Sequence, residues 1–152
     1  MKSEDHYLIY DHLRQVPLHC FNDRRLIVEK FIPEMEDGSY FIRTYHFLGD
    51  RWTCTRLGSP EPLVKARTTT RWTEVDPPAE VDAWRRRFNL DYGKLDYVMV
   101  GDRAVLLDIN KTTGSTELVR PVDPPAHRQY RAQGIEFYFR SLAPAAGGGS
   151  AT

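Results

Sequence analysis

Two aspartates and an asparagine could meet on one face of a predicted β-hairpin. Residues 94–100 and 104–110 have the composition of two antiparallel strands, whose side chains alternate between the faces of a sheet. The predicted register places Asp96 directly opposite Asp108, with Asn110 two residues further along the same face. Facing carboxylates destabilise a sheet unless a cation lies between them or the site is well solvated. Because oxygen ligands suit a hard cation, this is a candidate Mg²⁺ site, and the alternative is a solvated polar face.

This register depends on the length of the loop between the two strands. With a three-residue loop at 101–103, Val100 pairs with Ala104 and one face of the hairpin is wholly apolar. The side chains on that face are Leu95, Tyr97, Met99, Val105, Leu107 and Ile109. A two-residue loop would instead turn the polar residues of the second strand toward the buried face, at a desolvation cost. The sequence therefore predicts the three-residue loop, with Lys94 across from Asn110.

Two arginines face each other on a second predicted hairpin. Its strands are residues 40–48 and 51–57, and the Gly-Asp dipeptide between them suits the positive φ angles of a tight turn. This turn places Arg43 directly opposite Arg56. Two guanidinium groups repel each other unless an anion lies over them, and their planar fork fits a phosphate or a carboxylate. The alternative is that both arginines are exposed surface charges.

The elements that would position these residues indicate an α+β fold. Further segments with a predicted structure are a strand at 25–32, a short strand at 63–66, a helix from 77 to about 88, and a last helix from 123 to about 142. Residues 7–16 fit a strand or a short helix equally well. Val81, Trp84 and Phe88 give the first long helix an apolar face, and the arginines at 85–87 form a solvated face. Because antiparallel hairpins dominate, we expect an antiparallel sheet of hairpins with flanking helices.

The composition is that of a single globular domain with no net charge. The chain has 152 residues, 21 basic and 21 acidic, which is enough for one packed core. We expect one domain over residues 1–142 and a disordered tail over 143–152. Because the chain has no net charge, nucleic acid is not an expected partner. A membrane is not expected either, because no apolar run approaches the roughly 20 residues of a membrane span. The polar N-terminus and the two isolated cysteines predict a cytoplasmic protein.

Residues 90–97 and 105–114 are similar to the C-terminal metal-binding segment of the ATP-grasp superfamily. In that family an acidic residue on one strand and an acid-x-Asn sequence on the next hold the Mg²⁺ ions that bridge the phosphates of ATP. The resemblance therefore implies that the two aspartates and the asparagine of the hairpin are the metal ligands. The family more often has Glu in place of Asp108 and Pro in place of Thr113.

Residues 26–36 resemble the strand and hinge on which ATP-grasp proteins seat the adenine ring. The resemblance implies Glu29 near the adenine amino group, backbone contacts from Lys30 and Ile32, and a ribose contact from Glu36 or its rival Glu34. It also assigns the phosphates or the substrate carboxylate to Arg43, Arg56 and Lys65.

The resemblance implies a ligase that uses ATP and Mg²⁺ to convert a small-molecule carboxylate into an acyl phosphate, which an amine then attacks. It covers about residues 24–115, and the 23 residues before Arg24 are too few for the family's preceding subdomain and glycine-rich loop. One interpretation is a partial ATP-grasp ligase whose cleft another protein or a second copy completes. Another is a non-catalytic nucleotide-binding or protein-interaction module. The third, a small α+β domain with a chance match, is disfavoured by two motifs in the correct order.

Overall fold

The computed structural model describes residues 7–113 and 123–142. The chain divides into two compact units, Met1–Ile32 and Pro33–Thr152. No helix among the described residues is both long enough and apolar enough to span a membrane.

The described residues of the first unit contain two short 3-10 helices and no strand. The helices are Leu13–Gln15 and Leu18–Phe21. The strand predicted at 25–32 is wrong, because that segment joins no sheet and Ile27 is 88% exposed. A strand requires a neighbour that satisfies its backbone N–H and C=O groups, so β-branched composition alone does not create one.

The second unit is built on a six-stranded antiparallel sheet. Its strands are β1 (Glu34–Glu36), β2 (Ser39–Leu48), β3 (Arg51–Ser59), β4 (Arg71–Glu74), β5 (Tyr92–Val100) and β6 (Arg103–Asn110). The strand order is β4-β3-β2-β5-β6, and β1 pairs with the start of β2. The helices are α1 (Ala79–Arg87), α2 (Pro125–Ala132) and α3 (Gly134–Leu142). The predicted α+β class and antiparallel sheet are confirmed.

The hairpin of β2 and β3 has the predicted register. Leu48 pairs with Arg51 across the Gly-Asp turn, and Arg43 pairs with Arg56. The short strand predicted at 63–66 is wrong, because this segment forms a loop. In the loop the backbone N–H of Lys65 donates a hydrogen bond to the Thr68 hydroxyl at 3.0 Å. All four residues of strand β4 are exposed. Its sequence shows no alternation of apolar and polar residues, so the sequence did not predict this strand.

The turn between β5 and β6 has two residues, so the predicted three-residue loop is wrong. Val100 pairs with Arg103, and Met99 pairs with Ala104. The φ angle of Gly101 is +60°, as a tight hairpin turn requires.

A β-bulge restores the predicted pairing further along this hairpin. Tyr97 lies opposite Leu106, whereas Asp96 lies opposite Asp108, so Leu107 is the extra residue of the bulge. Leu107 is 49% exposed, and it is Leu106 that packs against the core. The bulge shifts the register by one residue and thereby cancels the difference in loop length.

Helix α1 packs its apolar face on the sheet. The buried core consists of Tyr45, Phe47, Cys54, Val81, Leu95, Tyr97 and Ala104. Within α1, Val81 is fully buried and Trp84 packs against the core, whereas Phe88 is 47% exposed. The apolar face of α1 therefore spans two of the three predicted residues.

Arg85 is not part of a solvated helix face, so this prediction is wrong for one of the three arginines. Its side chain is only 13% exposed, and its guanidinium lies 4.9 Å from the centre of the Phe47 ring. It donates hydrogen bonds to the backbone carbonyls of Leu90, at 3.1 Å, and Gly49. Arg85 thus ties the end of α1 to the turn between β2 and β3.

The last predicted helix is divided into α2 and α3 at Gln133. Gly134, the first residue of α3, lies so close to β2 that a Cβ atom there would clash with the backbone carbonyl oxygen of Leu48. Glycine permits this contact because it has no side chain. The predicted tail at 143–152 lies outside the described residues.

Candidate functional site

The face of the sheet that carries Asp96 has polar side chains in two adjacent rows across four strands. One row runs through Thr55, Thr44, Asp96 and Asp108, and the other through Thr53, His46, Lys94 and Asn110. Four members of these rows, Thr44, His46, Thr55 and Asp96, are buried. A buried polar group is costly unless it has a partner, so the contacts of these side chains identify what the face can bind.

The structure brings the three predicted metal ligands together. The Asp108 carboxylate accepts a hydrogen bond from the Asn110 amide at 2.7 Å and another from the backbone N–H of Ile109 at 2.8 Å. Directly across the strands, Asp96 is only 9% exposed, and its Oδ2 atom lies 2.7 Å from Nζ of Lys94. Its other oxygen, Oδ1, is buried and has no hydrogen-bond partner within the described part of the chain.

Asp96, Asp108 and Asn110 offer oxygen atoms, the ligand type that Mg²⁺ prefers. Residues 7–113 and 123–142 contain no group of three or more His, Cys, Asp or Glu side chains arranged to hold a metal. Two carboxylates and an amide oxygen are nevertheless what Mg²⁺ uses when waters and substrate phosphates complete its coordination. The Oδ1 atom of Asp96 is the group that a cation would satisfy, because a buried carboxylate oxygen without a partner is unfavourable.

The anion that lies over the two facing arginines is a carboxylate of the protein itself. Glu34 of β1 is 7% exposed and accepts three hydrogen bonds from Arg43 at 3.0–3.2 Å. It also accepts one from Arg56 at 2.8 Å and one from the backbone N–H of Met99 at 2.8 Å. Burial by itself would raise the pKa of Glu34, but the bonds from Arg43, Met99 and Arg56 outweigh it and hold that pKa below its usual value.

Arg56 has two further contacts that fix its position. Its Nη1 atom lies 2.6 Å from the carboxylate of Glu36, and its guanidinium lies 3.6 Å from the centre of the Phe41 ring. Glu34 and Glu36 of the protein itself therefore supply the negative charge beside the two arginines, and the predicted contact of Arg43 and Arg56 with a phosphate or a substrate carboxylate stays a prediction. Both glutamates, which the resemblance proposed for the ribose, bind arginine instead.

The other residues proposed for the nucleotide lie in loops. Lys65 is half-buried in the loop after β3. Glu29, Lys30 and Ile32 belong to the irregular segment of the first unit, where the first two are exposed and the third is half-buried. Their predicted contacts with adenine remain predictions.

Helix α2 adds a second set of polar contacts to the same face, which the sequence did not indicate. Arg131 is buried, and its guanidinium pairs with Asp123 at 2.6 and 2.9 Å and also donates to the Thr53 hydroxyl. His46 is buried beside this group, and burial together with the charge of Arg131 lowers its pKa to about 4. The alternation of polar Thr44 and His46 with apolar neighbours in β2 was the only available signal in the sequence.

The low pKa of His46 predicts that acid weakens the fold. In the unfolded chain His46 takes up a proton below its ordinary pKa of 6.5, whereas in the folded protein it stays neutral to about pH 4. The unfolded state therefore binds more protons in this range, and the free energy of unfolding falls by on the order of 2–3 kcal/mol as the pH decreases from 6.5 to 4. Urea denaturation at several pH values measures this slope.

The variant His46→Gln is the control, because it removes the titrating group and should flatten the slope between pH 7 and pH 5. Glu34 contributes in the same direction only at lower pH. Below its ordinary pKa of 4.5 the unfolded chain takes up a proton before the folded protein does, because folding lowers the pKa of Glu34. Equal slopes for the wild type and His46→Gln would contradict the prediction. The other charged groups around His46 are Arg131, Asp123, Lys94 and His127.

A separate cleft of about 560 Å³ opens beside β3. Its lining residues are Trp52, Thr53, Cys54, Glu74, Val75, Asp76, His127 and Tyr130. No residue predicted to bind the nucleotide or the metal belongs to this set. The cleft therefore has no part in the function proposed below.

Comparison of the chain with protein-family models and with curated proteins found no match.

Proposed function

We propose that this protein binds Mg²⁺ together with ATP, as part of an ATP-grasp-like ligase that activates a small-molecule carboxylate as an acyl phosphate. One observation carries the proposal. Asp96 and Asp108 face each other on β5 and β6, and the buried Oδ1 atom of Asp96 has no partner in the described part of the chain. A cation at this position would satisfy that oxygen and relieve the repulsion between the two carboxylates.

The number of protein ligands favours a metal that arrives with a phosphate-bearing ligand. Two carboxylates and one amide do not form a complete cage, and Mg²⁺ commonly binds one or two carboxylates together with substrate phosphates. In this proposal Asp96, Asp108 and Asn110 hold the metal, which when bound neutralises the phosphate charge. Lys65 is the remaining cationic candidate for the phosphates or the substrate carboxylate.

The two arginines play a structural role in this proposal. Because Arg43 and Arg56 already share the buried carboxylate of Glu34, a substrate would have to displace a bonded group of the protein to reach them. We therefore assign the metal and the phosphates to the facing carboxylates of Asp96 and Asp108, which we call the acid pair, and not to the arginines.

A protein partner is supported by the apolar surface of the first unit, taken by itself. Ten large apolar side chains there are at least 40% exposed, namely Tyr7, Leu8, Ile9, Leu13, Leu18, Phe21, Leu26, Ile27, Val28 and Phe31. Such a density of exposed apolar residues is typical of an interaction surface. It suits a ligase completed by another protein or a second copy, and it equally suits the second candidate, a non-catalytic nucleotide-binding or protein-interaction module.

Calorimetry with a non-hydrolysable ATP analogue and Mg²⁺ tests the proposal. We expect binding that requires both components and raises the melting temperature, because a ligand specific for the native state stabilises it. The variant Asp96→Asn should keep the fold, with equal or slightly higher stability, and should lose at least about tenfold in affinity, since one ligand charge is removed. Asp102→Asn is the matched control, because Asp102 is exposed in the turn between β5 and β6.

Two results would contradict the proposal. The first is an absence of binding at millimolar ligand, which would leave a protein-interaction function as the better explanation. The second is an Asp96→Asn variant that is clearly destabilised while its metal affinity is unchanged.

A further inference from the structure

The ammonium group of Lys94 lies at the acid pair. Lys94 and Asp96 are two residues apart on β5, so their side chains share one face, and Nζ of Lys94 is 2.7 Å from Oδ2 of Asp96. Across the strands Lys94 is paired with Asn110, as Asp96 is with Asp108. The ammonium therefore binds one of the proposed metal ligands, and the backbone position of Lys94 is paired with that of another.

A divalent cation and this ammonium group compete for the same carboxylate. The Lys94 side chain is 27% exposed and that of Asp96 is 13% exposed, so water screens the pair only in part. A metal ion that binds the carboxylate of Asp96 must either displace the ammonium or tolerate a positive charge beside it. The second arrangement is unfavourable for a doubly charged ion.

The displaced lysine can serve a second purpose. Its ammonium is a compact charge on a flexible four-carbon stem, and it can move without disturbing the backbone of β5. A phosphate group bound to the metal would bring negative charge to the same side of the sheet. The lysine can exchange its aspartate partner for that phosphate.

We propose that Lys94 makes the binding of Mg²⁺ depend on the binding of the nucleotide. Without nucleotide the ammonium occupies Asp96 and opposes the metal. When metal and nucleotide bind together, the metal takes Asp96 and the ammonium contacts a phosphate. This inference rests on the proposed function, because it assumes that the acid pair holds a metal and a nucleotide.

The variant Lys94→Met tests the inference, because it keeps the length of the side chain and removes the charge. We expect its affinity for Mn²⁺ alone, measured by electron paramagnetic resonance, to rise about tenfold. We expect its affinity for the metal–nucleotide complex, measured by calorimetry with the non-hydrolysable ATP analogue, to fall about tenfold. The opposite signs are the signature of coupling between the two ligands.

Lys111→Met is the matched control, because Lys111 is exposed and directly follows Asn110 at the end of β6. It loses the same charge near the site, and neither affinity should change by more than about twofold. If Lys94→Met does not fold, as judged by near-ultraviolet circular dichroism, Lys94→Gln replaces it with the same expectations.

The outcomes separate this inference from the proposed function. If the wild type binds metal and nucleotide but Lys94→Met changes neither affinity, or lowers both, the inference is overturned and the proposed function stands. The same holds if Lys111→Met behaves like Lys94→Met, since the effect would then be one of general charge. If neither the wild type nor the variants bind metal or nucleotide, both proposals are overturned.

Discussion

Replacing Glu34 with alanine is expected to destabilise the protein by about 3–5 kcal/mol, the cost of removing one partner from a buried ionic group. The side chains of Arg43 and Arg56 are 19% and 21% exposed, so their charges would lose a bonded carboxylate in a largely dry site. The backbone N–H of Met99 would lose its acceptor as well. Urea denaturation with linear extrapolation to water measures the change in the free energy of unfolding.

Glu36→Ala is the control for this prediction. The Glu36 side chain is 55% exposed and forms an ion pair with Arg56, so its loss should cost no more than about 1 kcal/mol. Equal effects of the two substitutions would contradict a structural role for Glu34. They would also reopen the assignment of the arginines to a ligand.

Replacing Gly93 with alanine is the second large effect that we expect. The φ angle of Gly93 is +150°, and a Cβ atom there would clash with the backbone carbonyl oxygen of Asn110 on the neighbouring strand. The strands β5 and β6 would have to separate beside the acid pair. We expect a loss of stability of more than about 2 kcal/mol, within the range of backbone strain and broken strand pairing, and a parallel loss of Mg²⁺ and nucleotide binding.

Gly101→Ala separates steric overlap from backbone strain. The φ angle of Gly101 is +60°, but no atom outside its own neighbours lies within 4 Å of the new Cβ position. Only the cost of a left-handed conformation applies, about 1–2 kcal/mol, and the acid pair should be unaffected. If Gly93→Ala retained wild-type stability and ligand binding, the close contact between β5 and β6 would not be required for the site.

The acid pair and the arginine pair show how one argument about facing charges can lead to two outcomes. Like charges paired across strands require a counter-ion, and both pairs have one. The arginines have carboxylate partners within the protein, Glu34 and Glu36, whereas the ammonium of Lys94 satisfies only one oxygen of Asp96. The other oxygen is left without a partner in the described structure. The acid pair is therefore the better candidate for an external ligand.

The two pairings that define the candidate site were predicted from the alternation of neighbouring residues, the second of them through a loop length that is wrong. The Gly-Asp turn and the strands beside it predicted Arg43 opposite Arg56, and the polar alternation of the next hairpin predicted Asp96 opposite Asp108. The sequence did not reveal that a two-residue turn and a bulge at Leu107 together produce the second pairing. The predicted loop and the observed turn with its bulge lead to the same pair of aspartates. In the structure Leu106, and not Leu107, packs against the core.

The counter-ions and the strand partners were decided by the tertiary structure. Glu34 lies 9 and 22 residues from the two arginines, on a strand of three residues that is too short to show a period. Residues 25–32 have the composition of a strand but pair with no strand within residues 7–113 and 123–142. Periodicity depends on residues adjacent in the chain, so it can be inferred from sequence, whereas the length of the turn between β5 and β6 could not. The charge that neutralises a side chain, and the strand that completes a sheet, depend on segments brought together only by folding.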